Sequence, residues 1–233
     1  MRTAALAAVL VCLSWSAYAD SDISKVNGAI RVEAGRTVGE VSSVNGSVRL
    51  EEGVTADDVD TVNGSVHIGA RSSVGEIDTV NGSITLAEDV KARAIESVNG
   101  GVRIGANTTV TGDATCVNGA ISLAPGSRVD GNVENVNGSI TLDAARVGGR
   151  LKTRNGAITV GAKSVVNGGI LVEKPNFGFF NRQSNKPKIV IGPEAIVEGT
   201  LEFEREVDLY VSETAQIGRV KGANPIRFSG NQP

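Results

Sequence analysis

Eight Asn-Gly pairs, beginning at Asn27, Asn45, Asn63, Asn81, Asn99, Asn118, Asn137 and Asn155, recur about every 18 residues, with two of the seven steps one residue longer. A unit of this size cannot bury its own apolar side chains. It must stack on copies of itself, so the period alone restricts the chain to a repeat rod. Aligned on the Asn, two columns after each pair are almost wholly aliphatic. The first is Ile30, Val48, Val66, Ile84, Val102, Ile121, Ile140 and Ile158; the second is Val32, Leu50, Ile68, Leu86, Ile104, Leu123, Leu142 and Val160. Members of one repeat lie two positions apart, on one face of a strand. Four positions before each Asn stands a further column: Ile23, Val41, Val59, Ile77, Ile95, Ala114, Val133 and Leu151. A looser third set comprises Val38, Val54, Val74, Val90, Val110, Val129, Val147 and Val165. Three short apolar segments per repeat predict an all-β, single-stranded parallel β-helix. Its triangular coils hold about 18 residues each, and like strands stack about 4.8 Å apart.

Two other structures share this period. Five α-helical turns also take about 18 residues, but 29 glycines and β-branched columns disfavour helices. A hairpin at each Asn-Gly is the stronger rival, since that dipeptide between apolar strands favours a tight antiparallel turn. It would place Val62 on the face of Asp60 and His67. The stacked coil instead predicts this valine as a second inward residue beside a corner. At that corner, Gly tolerates positive φ, and the Asn amides either bond one another from coil to coil or sit in plain exposed turns. A ladder predicts that Asn81→Asp or Asn99→Asp destabilises the rod by burying charge.

The column three positions before the Asn reads Ser24, Ser42, Asp60, Asp78, Glu96, Thr115, Glu134 and Lys152. This is a solvated face or, alternatively, a cation-binding stripe. The column two before the Asn holds Lys25, Ser43, Thr61, Thr79, Ser97, Cys116, Asn135 and Thr153, which makes Cys116 a small spacer rather than a reactive thiol. His67, the single histidine, falls in an outward column and leaves no material for a His-based catalytic pair or metal site. No catalytic residue, metal ligand or cofactor site is expected.

Residues 1–19 have the pattern of a secretory signal: basic Arg2, an apolar run over 4–13, and Ala17-Tyr18-Ala19 before the cut. The expected organisation is then a repeat region over 20–173, an insertion over 174–188, further coils over 189–222 and a polar tail over 223–233. The insertion carries Phe177, Phe179 and Phe180, which either fold back on the core or form a contact patch for a partner. It separates Ile158-Thr159-Val160-Gly161 from a later echo of the same pattern, Ile189-Val190-Ile191-Gly192, and insertions in solenoids map to loops on the side of the rod. Asn167-Gly168 is not a ninth member of the Asn column; its glycine aligns with Gly112, Gly131 and Gly149. About ten rungs are expected. Without residues 1–19 the chain keeps 22 Lys plus Arg (23 less Arg2) against 26 Asp plus Glu, and aromatics are 3% of the whole. Nothing there suits nucleic acid, and no second apolar run is long enough to span a bilayer.

The run Ser43-Val44-Asn45-Gly46-Ser47-Val48-Arg49-Leu50 and its copies resemble bacterial adhesin-type domains of unknown function. The stretch from Ile189-Val190-Ile191-Gly192 to Val197-Glu198-Gly199-Thr200-Leu201 resembles the polymer-forming bactofilins. The resemblance implies a right-handed coil and a scaffold, surface or assembly role. Bactofilins are typically cytoplasmic, whereas the signal here points to the periplasm or the cell surface. The expected function is therefore a non-catalytic exported rod, self-associating end to end or binding an envelope protein or polysaccharide. The alternative is a carbohydrate-binding β-helix.

Overall fold

The computed structural model describes residues 21–174, 186–230 and 232–233, and every regular element among them is a β-strand. The chain winds into a β-solenoid in which each segment hydrogen-bonds in parallel to the same segment one coil away. Val41 lies beside Ile23 and Val59, and Ile84 lies beside Val66 and Val102. No antiparallel pair occurs among the described strands, so the hairpin alternative is excluded.

Eight strands that follow an Asn-Gly corner and three later ones in the same position form one sheet of eleven, from Ile30–Val32 to Ile226–Phe228. Eleven strands on the preceding side, eight of them leading into an Asn-Gly corner, join six short strands of the third side in a second sheet of seventeen. The two sides of that larger sheet merge because Ser73–Asn81 and Lys91–Asn99 are continuous nine-residue strands that run across the intervening edge.

The three aliphatic columns flanking the corner meet along the axis and are buried from Ile30 to Val211. Each side chain removed from water contributes about 1.5–3 kcal/mol, and most of that burial is against the next coil rather than within its own. The looser third set divides into two columns. Val38, Val74, Ala92, Val110, Val129 and Val147 occupy one slot, and Val166, not Val165, continues it. Val54 and Val90 belong to another slot shared with Ser72, Thr108 and Ser164. Those buried hydroxyls accept from the backbone N–H of Val54, Val90 and Ala145 at 3.1, 3.1 and 3.2 Å. Counting valines merges the two slots, because register alone decides which of them share one.

The echo after the insertion lies in the next coil: Ile158, Thr159 and Val160 pair with Ile189, Val190 and Ile191. Gly112, Gly131, Gly149 and Gly168 stack as a second glycine corner, with N–H···O distances of 3.1, 2.9 and 2.9 Å between successive members. The coil count is about eleven rather than ten. The segment expected to be a polar tail supplies the last strand, whose Ile226 to Phe228 pair with Tyr210 to Ser212. Residues 1–19 and the three insertion phenylalanines lie outside the described residues.

Candidate functional site

All eight repeat asparagines stack in one ladder. Each Nδ2 donates to the Oδ1 of the asparagine one coil earlier, from Asn45 to Asn27 at 3.2 Å through Asn81 to Asn63 at 2.9 Å to Asn155 to Asn137 at 3.0 Å. The intermediate bonds are equally short, at 3.0, 3.0, 2.9 and 2.9 Å. Every donor points the same way, which leaves an acceptor at the C-terminal end. Arg205 Nη1 donates to that Asn155 Oδ1 at 3.0 Å and to the Arg154 carbonyl at 3.1 Å, closing the ladder with a cation. The ladder runs along an exposed edge, so an aspartate placed in it would not bury charge. Its cost comes from the lost donor.

From Gly46 onward, the glycine after each Asn is required for space more than for its dihedral freedom. A Cβ built on Gly119 would lie 2.5 Å from the Gly100 carbonyl oxygen, and those on Gly46, Gly64, Gly82, Gly100, Gly138 and Gly156 would come closer still to the preceding glycine. The column that does need left-handed backbone is a different one. Gly35, Gly53, Arg71, Asp89, Asn107, Gly126, Ala144, Lys163 and Glu194 all have φ between 43° and 75°. Its mixed composition leaves no pattern to read in the sequence.

Behind the corner, the buried Ser/Thr column supplies hydrogen-bond donors. Thr61 and Thr79 donate to the Gly46 and Gly64 carbonyls at 3.1 Å each, and Ser97 to Gly100 at 3.0 Å. Cys116 takes the same place, its thiol 3.1 Å from the Gly100 oxygen, and burial pushes its pKa up. It is a weak donor in a dry slot rather than a nucleophile.

The valine before each Asn faces outward, contrary to the expectation of an inward residue. Val26, Val44, Val62 and Val80 are 65, 42, 42 and 41% exposed. Strand alternation is the reason: Val59 and Thr61 point in, so Asp60 and Val62 must both point out. Two parallel stripes result on one side of the rod. They flank a groove of about 600 Å³ whose floor is the Ser43, Thr61 and Thr79 column. One bank is Val26, Val44, Val62, Val80 and Val98; the other is Ser24, Ser42, Asp60, Asp78 and Glu96.

Register brings Asp60 beside Asp78 and Asp78 beside Glu96. Partial burial, then the charges of Asp60, Glu96, Glu76 and Asp58, push the Asp78 carboxyl up to about 6. Burial followed by Glu40, Asp58 and Glu76 raises Asp60 too. Arg93 partly offsets the cluster, bridging Asp58 at 3.2 Å and Glu76 at 2.7 Å. A carboxyl whose folded pKa is raised favours folding most below its unfolded value, and that contribution is lost as pH rises toward about 6. Wild type is therefore expected to lose stability between about pH 4 and pH 7 relative to Asp78→Asn. Discounted for solvent screening, the difference is on the order of 1 kcal/mol and is measurable by chemical denaturation at each pH.

Three coils beyond Val98, past the C-terminal end of the groove, the stripes change identity. Arg154 replaces valine and Lys152 replaces the acid. Both bind Glu173, at 2.7 and 3.2 Å, while Lys152 also reaches Glu134 at 3.4 Å. Burial alone would raise Glu173, but hydrogen bonds from Lys152 and Arg154 outweigh it and hold the carboxyl low. His67 lies in the outward column, as expected, but is half-buried there between Arg49 and Thr85. Burial and then Arg49 lower its pKa against an opposing pull from Glu51. Among the described residues no group of three His, Cys, Asp or Glu side chains could hold a metal ion, and no helix is long and apolar enough to cross a membrane. Compared with protein families, with curated proteins and with solved structures, the chain matches none.

Proposed function

We infer that this protein is a non-catalytic, exported structural rod, a scaffold or adhesin-like module of the bacterial envelope that presents repeated lateral faces to partners and joins end to end. The observation that carries this reading is the unbroken register of like segments from Ile23 to Phe228. Such stacking produces a stiff object with periodic faces, and it fills the interior with aliphatic columns, which favours a structural role over a catalytic one. The ends supply the joining surface. Among the described residues, Ile30–Val32 pairs only with Val48–Leu50, and Ile226–Phe228 only with Asp208–Ser212. Each end thus offers a strand edge that a second copy can satisfy in a heterologous, head-to-tail contact. The secretory pattern of residues 1–19 supports export to the periplasm or cell surface.

Static light scattering of the purified protein is expected to show mass rising with concentration, with rods visible by electron microscopy. A strict monomer at high concentration would remove end-joining from this function.

A further inference from the structure

The groove between the valine and acidic stripes has a geometry that selects among occupants. Its banks run along the rod axis, not along the strands, and comparable positions recur once per coil, about every 4.8 Å. Five coils line it, from Val26 to Val98, giving a length of about 19 Å. Four of its valines are exposed at 41% or more, although the core columns beside them are dry.

A partner must present apolar groups and positive charges in two parallel lines with nearly this spacing. An extended peptide laid along the axis shows same-face side chains every ~6.8 Å and falls out of step within two coils. A polyproline helix repeats every ~9.3 Å. An α-helix whose apolar stripe recurs about every 3.5 residues, with i+3 and i+4 counted as one anchor between i and i+7, advances about 5.3 Å per anchor and stays within about 2 Å of register over the groove. Basic residues flanking that apolar stripe would lie over Asp60, Asp78 and Glu96. A second copy of this chain placed face to face would oppose acid with acid when antiparallel and acid with valine when parallel, and both disfavour self-association through this side. Lys25 is the cation on the groove wall, and its Nζ is engaged by the Ala29 carbonyl at 3.0 Å.

We propose that this groove docks a basic amphipathic α-helix of a partner protein, about 13 residues long and lying parallel to the rod axis. The valine stripe receives its apolar face, and Asp60, Asp78 and Glu96 receive its flanking Lys or Arg side chains, a helix-in-groove mode. The proposal rests on the reading of the chain as a scaffold with lateral binding faces. It does not depend on end-joining.

The probe is a labelled synthetic peptide of about 14 residues, with Leu at helical i, i+3, i+4 and i+7 spacing and Lys on one flank. Its binding to the purified protein is followed by fluorescence anisotropy. Saturable binding that weakens with added salt is expected. Val62→Ser with Val80→Ser, and separately Asp60→Asn with Asp78→Asn and Glu96→Gln, should each weaken it by about tenfold or more. All these positions face outward, so the variants should fold, the valine pair with near-native melting and the acidic set with somewhat raised melting at neutral pH; Val44→Ser with Val62→Ser serves if the valine pair fails to fold. A peptide of equal charge with two central Leu replaced by Pro should not bind. The proposal is overturned by no binding to wild type, by equal binding of the proline peptide or of an extended Lys-rich peptide, or by variants that bind like wild type. Scattering on the same samples separates the two readings. Assembly without peptide binding removes the groove proposal alone, and peptide binding by a strict monomer removes end-joining alone.

Discussion

Gly82→Ala is expected to lower stability by about 3 kcal/mol or more, at the upper end of the cost of overpacking. The added methyl would meet the backbone of the preceding coil: the Gly64 carbonyl oxygen, its carbon at 2.5 Å and Ser65 N at 2.9 Å. None of these can rotate away as a side chain could. The two coils must separate, which stretches the Gly64 N–H bond to the Asn81 carbonyl at 3.0 Å and the Asn81 to Asn63 amide bond at 2.9 Å. Because a solenoid is held by nearest-neighbour contacts, the break should be local and should expose a protease-sensitive site in mid-rod. Gly101→Ala is the matched control, since its nearest neighbours are the Ala120 carbonyl oxygen at 3.1 Å and nitrogen at 3.7 Å, and equivalent positions carry Ser or Ala. Urea melts should show a large loss for the first variant and a small one for the second. Similar losses would mean that coil spacing at the corner is not limiting.

Asn99→Asp should cost about 2 kcal/mol at neutral pH, because one hydrogen bond is removed and an acceptor is turned toward another acceptor. Asn99 now donates to Asn81 Oδ1 at 3.0 Å and accepts from Asn118 at 2.9 Å. A carboxylate keeps the second bond and loses the first. Its charged form is disfavoured in the fold, so its pKa is raised. The loss should be small below the ordinary carboxyl pKa of about 3.9, where a protonated oxygen can donate to Asn81, and should grow as pH rises through the folded value. The polarity of the ladder gives a sharper check. Asn27 has no earlier repeat asparagine to donate to, so Asn27→Asp should be close to neutral. Equal cost at both positions, or none at either, would reject the ladder as a source of stability.

The Asn-Gly pair marks the corner in the sequence, but the dipeptide's usual association with left-handed turns suggests the wrong role for its glycine. Only Gly28, Gly100 and Gly138 of that column have φ in the left-handed region, while the glycines from Gly46 onward pack tightly against the preceding coil. Close approach between segments one coil apart is a property of the stack, and no local preference encodes it. The valines before each Asn mislead in a similar way, since an apolar residue in nearly every repeat suggests burial. Alternation from the buried Thr at the neighbouring position forces them outward instead, and the groove they line follows from that geometry.

The period, the parallel stacking of like segments, the aliphatic columns beside the corner and the resumption of register after the insertion are all legible in the residue order, because a repeated pattern constrains every coil at once. Contacts between coils settle the rest: which valines share a slot, how Thr61, Thr79 and Cys116 satisfy the corner carbonyls, and how Arg205 closes the amide ladder from 50 residues away. Each of those depends on what a side chain meets in another coil. That meeting is defined only once the coils are in register, at a separation that linear order does not record.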